Sequence, residues 1–243
     1  GQNWARQDAV FPVDDGKLTG RGRDLQSCFN LNSLSVPLKD GVSGDDLEKQ
    51  PYQVKAFRAL LKQLEVEDYE AVQLTDAIRD WTDKDTALVS SYGAEDAYYE
   101  GLTPPYLTAN QWMISTDELR AVRGVSAKLY ARLAPYVCAL PTDKLVVNIN
   151  TIKPEQAALL VALYQDKVGL DDAKRVLTSR PQKGWKDKKA MTDQMPVQVS
   201  TIQGLDAALD VKSSYFEAKL IAEVGDTRAR LESVFVRLSG GAE

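Results

Sequence analysis

Between residues 80 and 99 the sequence reads DWTDKDTALVSSYGAEDAYY, and it crowds Asp80, Asp83, Asp85, Glu95 and Asp96 together with only Lys84 opposing them. Carboxylates this dense repel one another at neutral pH unless water, a cation or a catalytic task offsets the charge. Calcium takes about six to eight oxygens, several of them carboxylate, from a flexible loop. Two short acidic stretches flanking a loop offer such a set. The spacing is not that of an EF-hand: a loop begun at Asp83 would put Leu88 at the glycine position and Ala94 at the closing glutamate. The plain alternative is a solvated acidic loop, and composition does not choose between the two.

Other chemistry is largely excluded. The chain has no histidine, which removes Ser-His-Asp and Cys-His catalysis and most zinc sites. It carries no phosphate loop, dinucleotide fingerprint or Gly-x-Ser-x-Gly elbow. Paired carboxylates alone could serve a glycosidase, but Asp83 and Asp85 form too common a pattern to define an active site, so the chain does not read as an enzyme. The stretch DELRAVRGVSAKLYARLAPYV has the outline of a helix-hairpin-helix DNA-binding module, with Gly124, Val125, Ser126 and Lys128 at the places that would hold a phosphate. Ser126 replaces the second hairpin glycine and the net charge is −5, so a packing unit of similar shape is the competing reading. Lys183, Lys186, Lys188 and Lys189 flank Trp185 in a run that is either a solvated loop or a contact for an anionic surface. Cys28 and Cys138 would be unrelated thiols in a cytosolic protein and a pair in an exported one.

The elements that must position these residues follow from periodicity. At 243 residues, 44% hydrophobic and 27% charged, the chain has the composition of a soluble globular protein. No apolar run approaches the roughly 20 residues needed to span a bilayer. NWARQDAV reads as the last turns of a helix, and FPVDDGKLTGRGR as a hairpin with Asp-Gly turn chemistry. PLKDGVSGDDLEKQP is a polar loop. Val54, Phe57, Leu60, Leu61 and Leu64 form one helical stripe, and Ala71, Leu74, Ile78 and Trp81 another. Helices also fit STDELRAVRG, SAKLYARLAPYV, KPEQAALLVALYQ and LDDAKRVLTSR, with a strand or extended lead-in at KLVVNIN. At the end, Phe216, Ala218, Leu220, Ala222 and Val224 alternate with Glu217, Lys219 and Glu223, which predicts an antiparallel hairpin with one buried face. Strands at both ends and helices between them suggest an α-domain inserted into a small α+β domain whose two ends meet. CFNLNSL and VVNINTI echo each other; two Asx-type turns or a structural duplication would both account for this.

CFNLNSL, LTDAIRDWTDKD, YGAEDAYY, STDELRAVRGVSAKLYARLAPYVCALP, VNINT and SSYFEAKLIAEVG, in this order and over nearly the whole chain, resemble the K-type minor pseudopilins of the bacterial type II secretion system. The resemblance implies an α+β, pilin-like fold in which an N-terminal helix lies against an antiparallel sheet and a large all-α domain is inserted. Residues 1–28 and 196–243 would then be the two segments of the pilin part and 29–195 the inserted domain. It implies a Gram-negative envelope protein, periplasmic but anchored in the inner membrane by a hydrophobic helix that lies outside these residues. It also implies a place at the pseudopilus tip above the I-type and J-type minor pseudopilins. There the subunit starts or caps assembly for protein export across the outer membrane, and the bulky α-domain blocks addition above it. No catalytic activity and no nucleic-acid partner are implied. Three open readings shift accordingly. Cys28 and Cys138 become a disulfide, since the periplasm is oxidising. The acidic run becomes a calcium site with Asp80, Asp83, Asp85, Glu95 and Asp96 as candidate ligands. The helix-hairpin-helix outline becomes scaffold.

Overall fold

The structure, a computed structural model, describes residues 9–38 and 46–237. Strands β1 (Ala9–Val13) and β2 (Gly16–Asp24) form a hairpin across Asp14 and Asp15, the latter at φ +60°. A short strand β3 (Phe29–Asn30) leads to helices α1 (Tyr52–Gln63), α2 (Asp68–Thr82) and α3 (Asp96–Tyr99). A 3-10 turn over Thr116–Ala121 precedes α4 (Ala127–Leu133), β4 (Val137–Cys138) and β5 (Val147–Asn148). Next come α5 (Ala157–Leu163), α6 (Leu170–Thr178), α7 (Lys188–Thr192) and α8 (Leu205–Ala208), then β6 (Leu209–Asp210). The hairpin β7 (Tyr215–Val224) and β8 (Thr227–Val236) closes the chain's described part.

The two hairpins make one antiparallel sheet in the order β1-β2-β7-β8, so the ends of the chain do meet. Leu18 stands opposite Ala222, Gly20 opposite Leu220, and Leu220 opposite Leu231, which gathers the apolar set on one face. The other face is charged: Lys17 pairs with Glu223 at 2.8 Å and Lys219 with Glu232 at 3.0 Å. The alternation is what a sheet with two unlike faces requires. Phe11, Leu231 and Phe235 on the apolar face remain 54–56% exposed. The expected helix end at NWARQDAV lies mostly outside the described residues, and its last residue with Ala9 belongs to β1.

Between the halves of the sheet, the described residues from 25 to 214, a wider span than the 29–195 expected and one that holds the short parallel pairs β3-β4 and β5-β6 besides helices, wrap one large core in which α1 packs along α5, with Phe57, Leu60, Ile78, Leu160 and Val161 almost wholly buried. This part is built twice. Asn30 Oδ1 accepts from the Asn32 amide and Asn148 Oδ1 from the Asn150 amide, the Asx turns expected of both motifs. The second asparagine of each motif then bridges distant backbone. Asn32 accepts from Met113 N at 2.8 Å and donates to the Met113 and Leu140 carbonyls at 2.9 and 2.8 Å. Asn150 accepts from Trp185 N at 2.7 Å and donates to the Trp185 and Val211 carbonyls at 3.0 and 3.2 Å. The α1–α2 and α5–α6 turns also match: Glu65 and Gln165 have φ of +54° and +51°, and Val66 N→Leu61 O parallels Asp166 N→Val161 O. In each half a glycine of positive φ, Gly124 or Gly204, precedes a short helix and a strand that pairs in parallel with the Asn-x-Asn strand. The sequence echo is therefore a structural duplication, and the Asx turns are part of it.

Cys28 and Cys138 are disulfide-bonded, joining the segment before β3 to β4 across 110 residues. Closing a loop of that length is worth up to about 4–5 kcal/mol in the chain-entropy model. Two local expectations change. Thr116–Ala121 is a 3-10 turn rather than an α-helix, held by a capping box between Ser115 and Glu118. The lysine-rich run is not wholly loop: Trp185 is buried under the Asn150 side chain, and Asp187 caps Ala190 N at 2.9 Å to start α7. Lys188 and Lys189 pair with Asp206 and Asp193.

Candidate metal centre

The acidic run lies where α2 ends and the chain loops back to α3. Asp80 sits on the buried side of α2 and is fully buried. Its Oδ1 accepts from Val89 N at 2.9 Å and its Oδ2 from Ala94 N at 2.7 Å, so the carboxylate pulls the loop back onto the helix. The approach is close: a Cβ at Gly93 would stand 1.9 Å from Asp80 Oδ2, which only glycine avoids. One helical turn earlier, Asp76 holds the same loop by accepting from Ser90 Oγ at 2.6 Å, and it pairs with Arg58 at 3.2 Å. Asp85 accepts from Ala87 N and Asp96 from Thr108 N, both at 2.9 Å.

Three further oxygens of the run are buried and unpartnered. Asp83 Oδ1 and both oxygens of Glu95 are buried without a hydrogen bond, and Glu95 is only 6% exposed. No lysine or arginine among the described residues forms an ion pair with any of the five carboxylates. Burial pushes the Asp83 carboxyl up to about 7, helped by the charges of Asp85, Asp80 and Glu95. Burial likewise raises Glu95 to about 7, against a lowering by the neighbouring Thr108 hydroxyl and with a further rise from Asp80, Asp96 and Asp85. Asp80 rises to about 6, chiefly by burial, and its two backbone hydrogen bonds hold it lower than burial alone would. The fold thus gathers Asp80, Asp83, Asp85 and Glu95 within electrostatic reach, with Asp96 reaching Glu95. Among the described residues no three His, Cys, Asp or Glu side chains form a ready metal cage. A cation here would need amide and carbonyl oxygens as well.

The sequence reading missed one such group. The Asn110 side-chain amide lies 3.3 Å from the carbonyl oxygen of Asp80 and 3.2 Å from that of Asp85. With no cation present its nitrogen must face them and donate; with a cation its oxygen can face them, and all three oxygens share the charge. Nothing in the sequence singles out Asn110, since the contact is made by tertiary folding. The orphaned carboxylate oxygens and this amide-carbonyl cluster are all hard oxygen donors, the set calcium prefers.

The helix-hairpin-helix residues stand apart. Gly124 takes φ +85°, and Ser126 Oγ accepts from Leu129 N at 3.1 Å, so the hydroxyl is committed to capping α4. Glu65 and Glu70 share the hollow beside Gly124 with Lys128 and Arg132.

The fold and site describe a mixed helix-and-sheet protein with a duplicated helical body and an oxygen-rich acidic loop. Two family models match it, both described as type II secretion system protein K, over residues 27–142 and 147–212, the two halves of the duplication. It is 89% identical to the type II secretion system protein K of Aeromonas hydrophila, covering 100% of this chain and 77% of the relative. It is 40% identical to the protein of that name from Pectobacterium carotovorum, over 99% of this chain and 72% of the relative. Among solved structures it resembles a chain of the GspK-GspI-GspJ complex from enterotoxigenic Escherichia coli with a TM-score of 0.83 and 32% identity, covering 97% of this chain and 80% of that one. The chain belongs to the type II secretion system protein K family.

Proposed function

We propose that the chain is the non-enzymatic tip subunit of a type II secretion pseudopilus, assembled with the I-type and J-type minor pseudopilins and braced by calcium. Support for the assembly comes from the similarity along 97% of the chain to a protein solved as part of a GspK-GspI-GspJ complex. In this reading the four-stranded sheet is the pilin part. Its bare apolar face is the bed for an N-terminal helix that anchors the subunit in the inner membrane. Residues 25–214 are the inserted body, standing in the periplasm and too wide to fit beneath a subunit docked in register. For about 190 residues a compact body has a radius of gyration of roughly 16 Å.

The calcium half of the reading rests on Glu95, whose two buried oxygens form no hydrogen bond and have the Thr108 hydroxyl as their one close polar neighbour among the described residues. Asp83, Asp85, Glu95 and Asp96 would supply carboxylate oxygens, Asn110 an amide oxygen, and Asp80 its carbonyl, while the Asp80 carboxylate keeps the loop folded. Calcium bound there would neutralise the repulsion and clamp the end of α2 to the segment before α3. Two measurements test the proposal. Mixing the chain with purified I-type and J-type subunits should give one stoichiometric complex by native mass spectrometry, and three separate species would end the assembly reading. Calorimetry on metal-stripped protein should show calcium uptake, and a flat titration would end the calcium reading.

A further inference from the structure

A second feature of the fold, far from the acidic loop in sequence, is a free sheet edge ending in a basic cleft. Among the described residues β8 is an outer strand, paired along its whole length to β7 and to no other strand. Arg237 N donates inward to Ser214 O at 2.7 Å. By the alternation of an antiparallel ladder, the N–H groups of Val236, Val234, Glu232, Arg230 and Arg228 point outward, away from β7. An exposed edge of this kind is a template for another strand. Charged side chains guard its first half, but Val234, Phe235 and Val236 follow in a row at 52, 56 and 47% exposure.

Where that apolar end stops, Val236 and Arg237 line a cleft of about 740 Å3 whose other wall carries Lys144 and Lys212. None of these three cations forms an ion pair among the described residues. The Arg237 guanidinium stacks 5.0 Å from the Phe216 ring centre. Among the described residues the cleft's one lining carboxylate is Asp210, whose Oδ1 accepts from Val211 N and Lys212 N at 2.6 and 3.3 Å. In a chain of net charge −5, three cations with no ion pair among the described residues, meeting at the end of an outer strand, are a local inversion of sign.

We propose that β8 and this cleft form a docking edge for an extended, acidic segment of a partner protein, which adds a fifth strand to the sheet and sets a carboxylate among Lys144, Lys212 and Arg237. Main-chain hydrogen bonds to the outward N–H and C=O groups would give the strand its place, and the cleft would choose its charge. The edge without the cleft would accept any strand; the cleft without the edge would hold only a counter-ion.

The test uses the whole chain with a short peptide of alternating valine and glutamate, its valine-lysine counterpart, and phosphatidylglycerol vesicles. Backbone amide NMR should show the acidic peptide shifting and protecting the amides of Arg228, Arg230, Glu232, Val234 and Val236, with the basic peptide leaving them unchanged. The double variant Lys144→Glu with Lys212→Glu should weaken acidic-peptide binding at least tenfold. Val234→Pro should abolish strand addition with the far-UV spectrum retained, because that N–H is not in the ladder with β7. Should this variant misfold, the charge-reversed variant decides alone. Equal binding of both peptides, shifts lying outside β8, an unaltered affinity after charge reversal, or binding to vesicles without binding to peptide would each overturn the proposal.

Discussion

Replacing Glu95 by glutamine should stabilise the metal-free protein at pH 8 and weaken it once calcium is added. Burial holds the Glu95 carboxyl at about 7, against an ordinary value of 4.5. A carboxylate raised on folding contributes stability that is fully present below about pH 4.5 and lost as pH climbs through 7. The shift is worth at most roughly 3 kcal/mol at about 1.4 kcal/mol per unit. Residual solvent around the loop screens part of it, which leaves about 1–2 kcal/mol. Glutamine keeps the shape and removes the charge, so this amount should return at pH 8 and vanish at pH 4, where the acid is protonated in both states. Calcium reverses the order, because the variant loses a charged ligand and with it at least a hundredfold in affinity, or about 2.8 kcal/mol at saturation, which exceeds the gain. Urea unfolding at pH 4 and pH 8, with chelator and with calcium, reads all four values. If the variant is the less stable protein at pH 8 in chelator, Glu95 is not an uncompensated buried charge and the metal reading loses its main physical support.

Chelation of calcium-loaded wild type should lower the melting temperature, with a loss of about 2.7 kcal/mol from a state held at a hundredfold excess over Kd, and should open the 85–95 loop to protease; unchanged melting and cleavage would count against the site. Gly93→Ala forces a methyl into the Asp80 carboxylate, so it should cost about 2–4 kcal/mol by denaturant unfolding and remove calcium uptake; a neutral result would mean the loop is not fixed as described. Asn32→Ala and Asn150→Ala each delete three hydrogen bonds to distant backbone, and each should cost about 2–4 kcal/mol. Losses under 1 kcal/mol would show that the bridging asparagines do not hold the two halves. Immunogold labelling of purified pseudopili should find the subunit at one end only, and labels at regular intervals along the shaft would refute a tip role.

Some of this was written in the chain locally. The stripes of α1 and α2, the alternation of β7 and the Asn-x-Asn turns are each decided within a few residues, by burial periodicity or by a side chain bonding its own backbone. The sequence therefore placed the helices, the closing hairpin and the repeated motif, and its motif order carried the family. It could name the carboxylates but not sort them. Asp80 and Glu95 are the same chemistry in the same run, yet one has both oxygens satisfied by loop amides and the other has none. That difference, the recruitment of Asn110 and the need for glycine at Gly93 depend on which way the loop folds back over α2. The register that joins β2 to β7 depends likewise on residues about two hundred positions apart, and the basic end of β8 on bringing Lys144 and Lys212 to Arg237. Tertiary packing alone decides them, because a hydrogen bond or a buried charge is fixed by distance in space and carries no period along the chain.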